Sequence, residues 1–186
     1  MPKLVSEAEL VKGCQEGNRL IQRRVYEQYS SRMLALCRRY VKNEMDAEEV
    51  LINGFLKVFE RIGQFKSDGS FEGWIRRIMV NESLNHLRKQ RVMYAEVEIE
   101  NLANDLDYST FESEMDAEEL LNLVEQLPVG YRTIFNLYAI EGFSHKEIAE
   151  SLGITESTSK SQLSRARVHL QKLLNDYNTK LNIKNG

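Results

Sequence analysis

Residues 143–174, FSHKEIAESLGITESTSKSQLSRARVHLQKLL, carry start and stop signals that leave little choice of local structure. Ser144 followed three residues later by Glu147 is a capping box. The hydroxyl accepts from the free amide at Glu147, and that carboxylate reaches back to the amide of Ser144. A helix beginning at 145 puts Ile148, Ala149 and Leu152 on one side. Gly153 then supplies the left-handed backbone position that ends a helix without a Cβ clash. The spacing predicts a three-residue turn, Gly153-Ile154-Thr155. Thr155 is the cap of the next helix and Glu156 suits its positive end. Leu163, Ala166, Leu170, Leu173 and Tyr177 recur at three- and four-residue intervals and mark the buried face. The pattern is that of a helix-turn-helix. On the side away from the stripe, Thr155, Ser157, Thr158, Lys160, Ser161, Ser164, Arg165 and Val168 offer hydroxyls and cations, the groups that reach phosphates and base edges in a major groove. The same signals fit a helical hairpin that binds nothing. Ser159 sits on the apolar stripe, where a hydroxyl is out of place, and bonding back to the Thr155 carbonyl would satisfy it.

The remainder of the chain is also helical in pattern. Only two prolines occur among 186 residues and strand-like alternation is scarce, so an almost all-α protein is expected. With 42% hydrophobic residues the chain can bury one core or two small ones. Its longest apolar run, Met33 to Cys37, is far below the roughly 18 residues a spanning helix requires, so no membrane insertion is expected. The start, MPKLVSEAEL, lacks a basic-then-apolar leader pattern, and the expected compartment is the cytoplasm. Cys14 and Cys37 fit no metal spacing. Cys37 is expected to pack inside a helix face, while Cys14 is a candidate for exposure and oxidation.

The net charge of -3 hides three blocks of different sign. Residues 1–92 hold 17 Lys/Arg and 12 Asp/Glu, residues 93–128 none and 11, and residues 129–186 hold 8 and 5. Two basic modules therefore flank an acidic segment, and the overall balance says little about partners.

Taken in order, a short helix over Ser6–Glu16 is followed by a long one from Leu20 to Lys42, capped by Asn18. In it Ile21, Val25, Tyr29, Met33, Cys37 and Val41 fall at strict four-residue spacing. Asp46 with Glu49 repeats the cap-plus-Glu pattern and opens a helix that closes at Gly63. Its apolar residues exceed one stripe, so part of its surface is either core or a partner face; Gly54 inside it costs about 1 kcal/mol relative to Ala. Gln64 to Ser70 is a polar loop, and Ser70 caps a helix from Phe71 to about Arg91. That helix combines Trp74 with Arg76, Arg77, Asn81, Asn85, His86, Arg88, Lys89 and Arg91. Rings, amides and cations together suit an unpaired strand, and a solvated basic face over a buried Trp fits equally. Residues 93–115 read as an acidic linker; taken as residues 93–118 it would reach at most about 90 Å. Helices over Asp116–Gln126, with Leu120, Leu123, Val124 and Leu127 inward, and over Tyr131–Glu141, with Ile134, Phe135, Leu137 and Tyr138 inward, complete a four-helix module to residue 178. Residues 179–186 form a tail. Asp46, Glu48, Glu49 and His86 show neither metal-ligand spacing nor a nucleophile with a base, so no catalytic residue, metal or cofactor is expected.

The succession DAEEVLINGFLKVFERIGQF, SFEGWIRRIMVNESLNHLRKQR, an acidic gap, and LPVGYRTIFNLYAIEGFSHKEIAESLGITESTSKSQLSRARVHLQKLL resembles an extracytoplasmic-function sigma factor of the sigma-70 family over nearly the whole chain. The resemblance implies two small helical domains: sigma region 2 in residues 1–92 and sigma region 4 in residues 116–178. It implies docking on the clamp helices of core RNA polymerase through Asp46, Glu49, Val50, Ile52, Asn53, Phe55 and Leu56. It assigns the opening of the minus-ten element and the holding of a flipped base to Phe65, Lys66, Ser67, Trp74, Arg77, Asn81, Asn85, His86, Arg88 and Lys89. It assigns the minus-35 duplex to the second helix of 143–174, with region 4 also meeting the polymerase flap. An anti-sigma factor is an expected partner. Ser159 and Gln162 stand where relatives commonly have Val and Arg, and Ile52-Asn53-Gly54 where they often have a more polar stretch. A dimeric helix-turn-helix repressor would also account for residues 143–174.

Overall fold

The computed structural model describes residues 5–90 and 117–184, with side chains for 5–90 and 119–179. Among these residues every regular element is helical, and the chain divides into two compact units, Met1–Gln90 and Arg91–Gly186. The acidic linker lies outside the described residues, as does Arg91.

The first unit is built from α1 (Glu7–Gln15), α2 (Arg19–Tyr40), α3 (Glu44–Arg61) and α4 (Phe71–Lys89), with a 3-10 turn at Ile62–Gln64. The caps explain the boundaries. Ser6 forms a full capping box with Glu9 on α1, Asn18 accepts from the amides of Leu20 and Ile21 on α2, and Ser70 accepts from Gly73 on α4. The start of α3 differs from expectation. Its cap is Asn43, whose side chain accepts from the Asp46 amide, so Asp46 lies within the first turn. The helix ends at Arg61, before Gly63, because the chain tightens into the 3-10 turn. Likewise α2 stops at Tyr40, and Val41 is already extended.

Val25, Tyr29, Met33 and Cys37 of the four-residue series are buried, joined by Leu36. They meet Val50, Leu51, Phe55 and Val58 of α3 and Ile75, Met79 and Leu84 of α4, also buried. Gly54 turns out to be a point of close approach: a Cβ there would lie 2.3 Å from the Met79 sulfur. Both cysteines are buried. This corrects the expectation of an exposed Cys14, whose thiol burial pushes up; the Cys37 thiol is pushed up to about 11, chiefly by burial.

The second unit contains α5 (Ala117–Glu125), α6 (Val129–Phe135), α7 (His145–Leu152) and α8 (Glu156–Lys184). α6 starts directly after Pro128, two residues before the expected start, because proline is pre-organised to lead into a helix. It passes into a π-helical turn over Asn136–Ile140, and Gly142, with φ of 74°, ends the segment. Leu123, Val124 and Leu127 pack with Leu170 and Leu174 of α8, while Tyr131, Phe135, Leu173 and Tyr177 lie partly buried around them. Tyr177 donates to Glu119 at 2.7 Å, tying α8 to α5. α8 runs to Lys184, through the stretch expected to be a tail. Arg132 is almost wholly buried, and its Nη1 donates to the carbonyls of Glu125 (3.1 Å) and Leu127 (3.4 Å), satisfying groups the end of α5 leaves open.

Candidate nucleic-acid and polymerase interfaces

On α4 the exposed and half-buried positions fall on one face. Trp74, Arg77, Asn81, Asn85 and Arg88 succeed one another at intervals of three and four residues, opposite buried Ile75, Met79 and Leu87. Part of this face is tied together. Lys57 pairs with Glu82 at 2.6 Å, the Asn85 amide donates to the same carboxylate at 3.2 Å, and Arg88 donates to the Asn85 carbonyl at 2.9 Å. Arg77, Asn81 and Lys89 are exposed, and Trp74 is half-buried.

The preceding loop closes over the start of this face. A cavity of about 390 Å³ is lined by Phe65, Lys66, Asp68, Ser70, Trp74 and Arg77 among others, within the roughly 300–1,000 Å³ of small-ligand clefts. Aromatic stacking shapes it. Phe65 lies 5.5 Å from Trp74 and 5.3 Å from Phe71, which stacks on Trp74 at 6.0 Å. Ser67 holds a φ of 61°, a conformation L-residues seldom adopt, and Gly69 has a φ of 107°, so the loop folds back sharply beside the cavity.

Two of the residues expected to face the minus-ten strand face inward. Phe65 is buried and serves as cavity wall. The His86 ring is largely covered, and its Nε2 points at Asp46, 3.5 Å away. Gln90 donates to that same Asp46 oxygen at 3.1 Å. Asp46 and His86, expected in two different interfaces, thus face each other and join the start of α3 to the end of α4.

The outer face of α3 is apolar without being core. Ile52 is 53% exposed and Leu56 55%, with Glu49 and Asn53 exposed between the same turns. Val50 and Phe55 are each 2% exposed, which corrects their expected place in the docking face: they hold the helix to the core. Periodicity alone does not separate the two stripes. Met45, 76% exposed, continues the Ile52 row toward the start of α3 and is absent from the residues expected there, although its four-residue interval to Glu49 is a usable signal.

In the second unit the helix-turn-helix is formed as its sequence signals indicate. Ser144 and Glu147 make both capping-box bonds, Gly153 is left-handed (φ 68°, ψ 34°), and Thr155 Oγ1 accepts from the Thr158 amide at 3.1 Å. Ile148, Ala149, Leu152, Leu163, Ala166 and Leu170 are buried. Thr155, Ser157, Lys160 and Ser161 are exposed, and Thr158, Ser164 and Arg165 half-buried. Several hydroxyls are pre-arranged: Thr155 contacts Ser157 and Thr158 at 2.8 Å each, and Ser161 donates to the Thr158 carbonyl at 3.0 Å. Ser159 is fully buried. Its hydroxyl lies 2.9 Å from His145 Nδ1 on α7, so its partner is the neighbouring helix and not, as expected, the Thr155 carbonyl. His145 carries no sequence signal of this role. It stacks on Tyr138 at 4.6 Å, with Arg167 5.9 Å above the same ring, and Tyr138 lies on the surface in place of its expected core position.

Comparison with known proteins gives a consistent result. Residues 25–92 match the model of sigma-70 region 2 and residues 117–170 that of sigma-70 region 4, together about two thirds of the chain. The RNA polymerase sigma-H factor of Pseudomonas aeruginosa is 27% identical over 90% of this chain and 93% of that protein. The extracytoplasmic-function sigma factor SigM of Mycobacterium tuberculosis is 28% identical over 96% and 90%, and SigW of Bacillus subtilis 29% over 80% and 86%. Among solved structures, the sigma factor RpoE in complex with the anti-sigma factor NepR from Bartonella quintana superposes with a TM-score of 0.52 at 23% identity, covering 82% of this chain and 96% of that one, which shows the shared fold. Two region models in the family's order, on two helical units that present the matching helices, place this chain in the sigma-70 family, as an RNA polymerase sigma factor of the extracytoplasmic-function group.

Proposed function

We propose that the protein is an alternative sigma factor that docks on core RNA polymerase through the outer face of α3, reads the minus-35 duplex with α8, and opens the minus-ten element with α4 and the loop before it. The observation that carries this reading is the pairing of the α4 face with the cavity beside it. Stacked rings, an exposed amide and cations border a cleft the size of a small ligand, which is what a base swung out of a duplex requires.

On α3 the docking residues are Glu49, Ile52, Asn53 and Leu56, with Met45 added. On α8 and at its cap the reading residues are Thr155, Ser157, Thr158, Lys160, Ser161, Ser164 and Arg165. At the minus-ten element Lys66, Ser67, Trp74, Arg77, Asn81 and Lys89 meet DNA, while Asn85 orients Arg88. Residues 93–115 tether the two domains. The protein performs no chemistry of its own and uses no cofactor or metal; its binding energy goes into melting and positioning. It works in the cytoplasm, its second domain also touches the polymerase flap, and an anti-sigma factor holds it in check, as NepR is paired with RpoE in the structure above. No helix among the described residues is long and apolar enough to cross a membrane.

Run-off transcription on genomic fragments tests the assignment. Defined starts only when core polymerase and this protein are both present support it. Unchanged core activity, with the protein alone shifting duplex DNA, refutes it in favour of a repressor.

A further inference from the structure

We propose that His145 is a positioning residue for duplex reading, setting the seat of α8 through the buried hydroxyl of Ser159. The proposal rests on α8 being the minus-35 reader.

Ser159 occupies a fully buried place on the inward stripe of α8, next to the exposed Lys160. Its Oγ lies 2.9 Å from Nδ1 of His145, the first residue of α7. α7 is itself anchored by buried Ile148, Ala149 and Leu152, so this contact reaches from a fixed helix into the first turns of the reading helix. Contact between apolar surfaces is non-directional and tolerates sliding and rotation. A hydrogen bond between a ring nitrogen and a hydroxyl does not, because it weakens steeply off its line. Where an apolar residue at 159 would only fill space, the Ser159–His145 pair also fixes the rotation of α8 about its axis, and with it the direction in which Lys160 and Ser161 point.

The ring is held in its turn. It stacks on Tyr138 at 4.6 Å and an interplanar angle of 23°, and Arg167 of α8 lies 5.9 Å from the centre of the same tyrosine. Burial, followed by the nearby cations Lys160 and Arg167, lowers the His145 pKa against the opposing pull of Glu156. A neutral ring accepts at Nδ1, so the Ser159 hydroxyl donates.

The test uses the full chain with core polymerase on two templates that share a minus-ten element and differ in an intact or scrambled minus-35 element. His145→Ala and Ser159→Ala are each expected to lower the ratio of transcription between the templates by about fivefold, the scale of one net hydrogen bond. The double variant should be no worse than either single one. His145→Asn, whose side-chain oxygen can stand near the place of Nδ1, should restore most of the ratio. A full ratio in Ser159→Ala, additive losses in the double variant, or no rescue by a folded His145→Asn overturns the proposal. Equal loss on both templates assigns the pair to folding alone and also overturns it. Lys160→Ala and Arg165→Ala are run beside them. If these keep the full ratio, the reading of α8 falls and the proposal with it; if they lose it while Ser159→Ala does not, the proposal alone falls.

Discussion

Replacing Ile52 and Leu56 together by alanine should separate polymerase docking from folding. The two side chains sit one turn apart on α3 and are 53% and 55% exposed, so about half of each remains to be covered by a partner. Fully burying such a side chain contributes about 1.5–3 kcal/mol, and half of that is about 1 kcal/mol per residue. The pair should therefore weaken binding to core polymerase by about 2 kcal/mol, roughly thirtyfold in the dissociation constant. Alanine is the best helix former, and little buried contact is lost, so the melting curve of the free protein should stay nearly unchanged. Val50→Ala and Phe55→Ala are the contrast. Both are core residues, and their truncation should destabilise the protein by about 1–5 kcal/mol. Competition for a fluorescently labelled sigma factor on core enzyme, read beside circular dichroism melts, measures both effects. Unchanged affinity in the Ile52/Leu56 variant would refute the docking face.

Three further outcomes are expected. Gly54→Ala gains about 1 kcal/mol of helix propensity but drives a methyl into the fully buried Met79, an overpacking cost of about 1–3 kcal/mol; chemical denaturation should show a net loss of about 1 kcal/mol, and a gain would mean that Met79 moves freely. Trp74→Ala and Asn81→Ala should slow strand opening, tracked by permanganate reactivity of unpaired thymines, more than they weaken core binding; the reverse order would place α4 on the polymerase. His145 has a folded pKa below its ordinary 6.5, so its neutral form stabilises the fold above that value and the contribution is lost as pH falls through the lower folded pKa. Melting of the protein should therefore decline below pH 6.5 more steeply in the wild type than in His145→Asn.

The helix-turn-helix is legible in the sequence because its signals are local. Ser144, Glu147, Gly153 and Thr155 act within one turn of their own positions, and each does in the structure what its chemistry requires. The same holds for Asn18 and Ser70. Asn43 and Asp46 are both good caps three residues apart, and spacing alone does not choose between them, so the start of α3 is misplaced by sequence reasoning. The interface residues are harder to read. Periodicity shows that α3 has two apolar stripes but not which faces water, so it groups Val50 and Phe55 with Ile52 and Leu56. Pairs brought together by packing leave no local trace: His86 and Asp46 are 40 residues apart in sequence, and His145 and Ser159 are 14 apart. The out-of-place hydroxyl at Ser159 is itself visible, and it is a correct pointer to a partner whose identity only tertiary structure supplies.

The turn at Asn136–Ile140 sets the phase of the chain beyond it. A π turn accommodates one more residue than an α turn, so each later side chain is rotated by about 100° from where an unbroken helix would carry it. That offset is why Tyr138 faces out, toward His145, while Asn136 and Leu137 face in. The segment behaves like a spacer in a gear train. Removing one residue from it would leave a perfectly good helix, yet it would swing the tyrosine away from the ring it supports and present the surface before the helix-turn-helix in a different register.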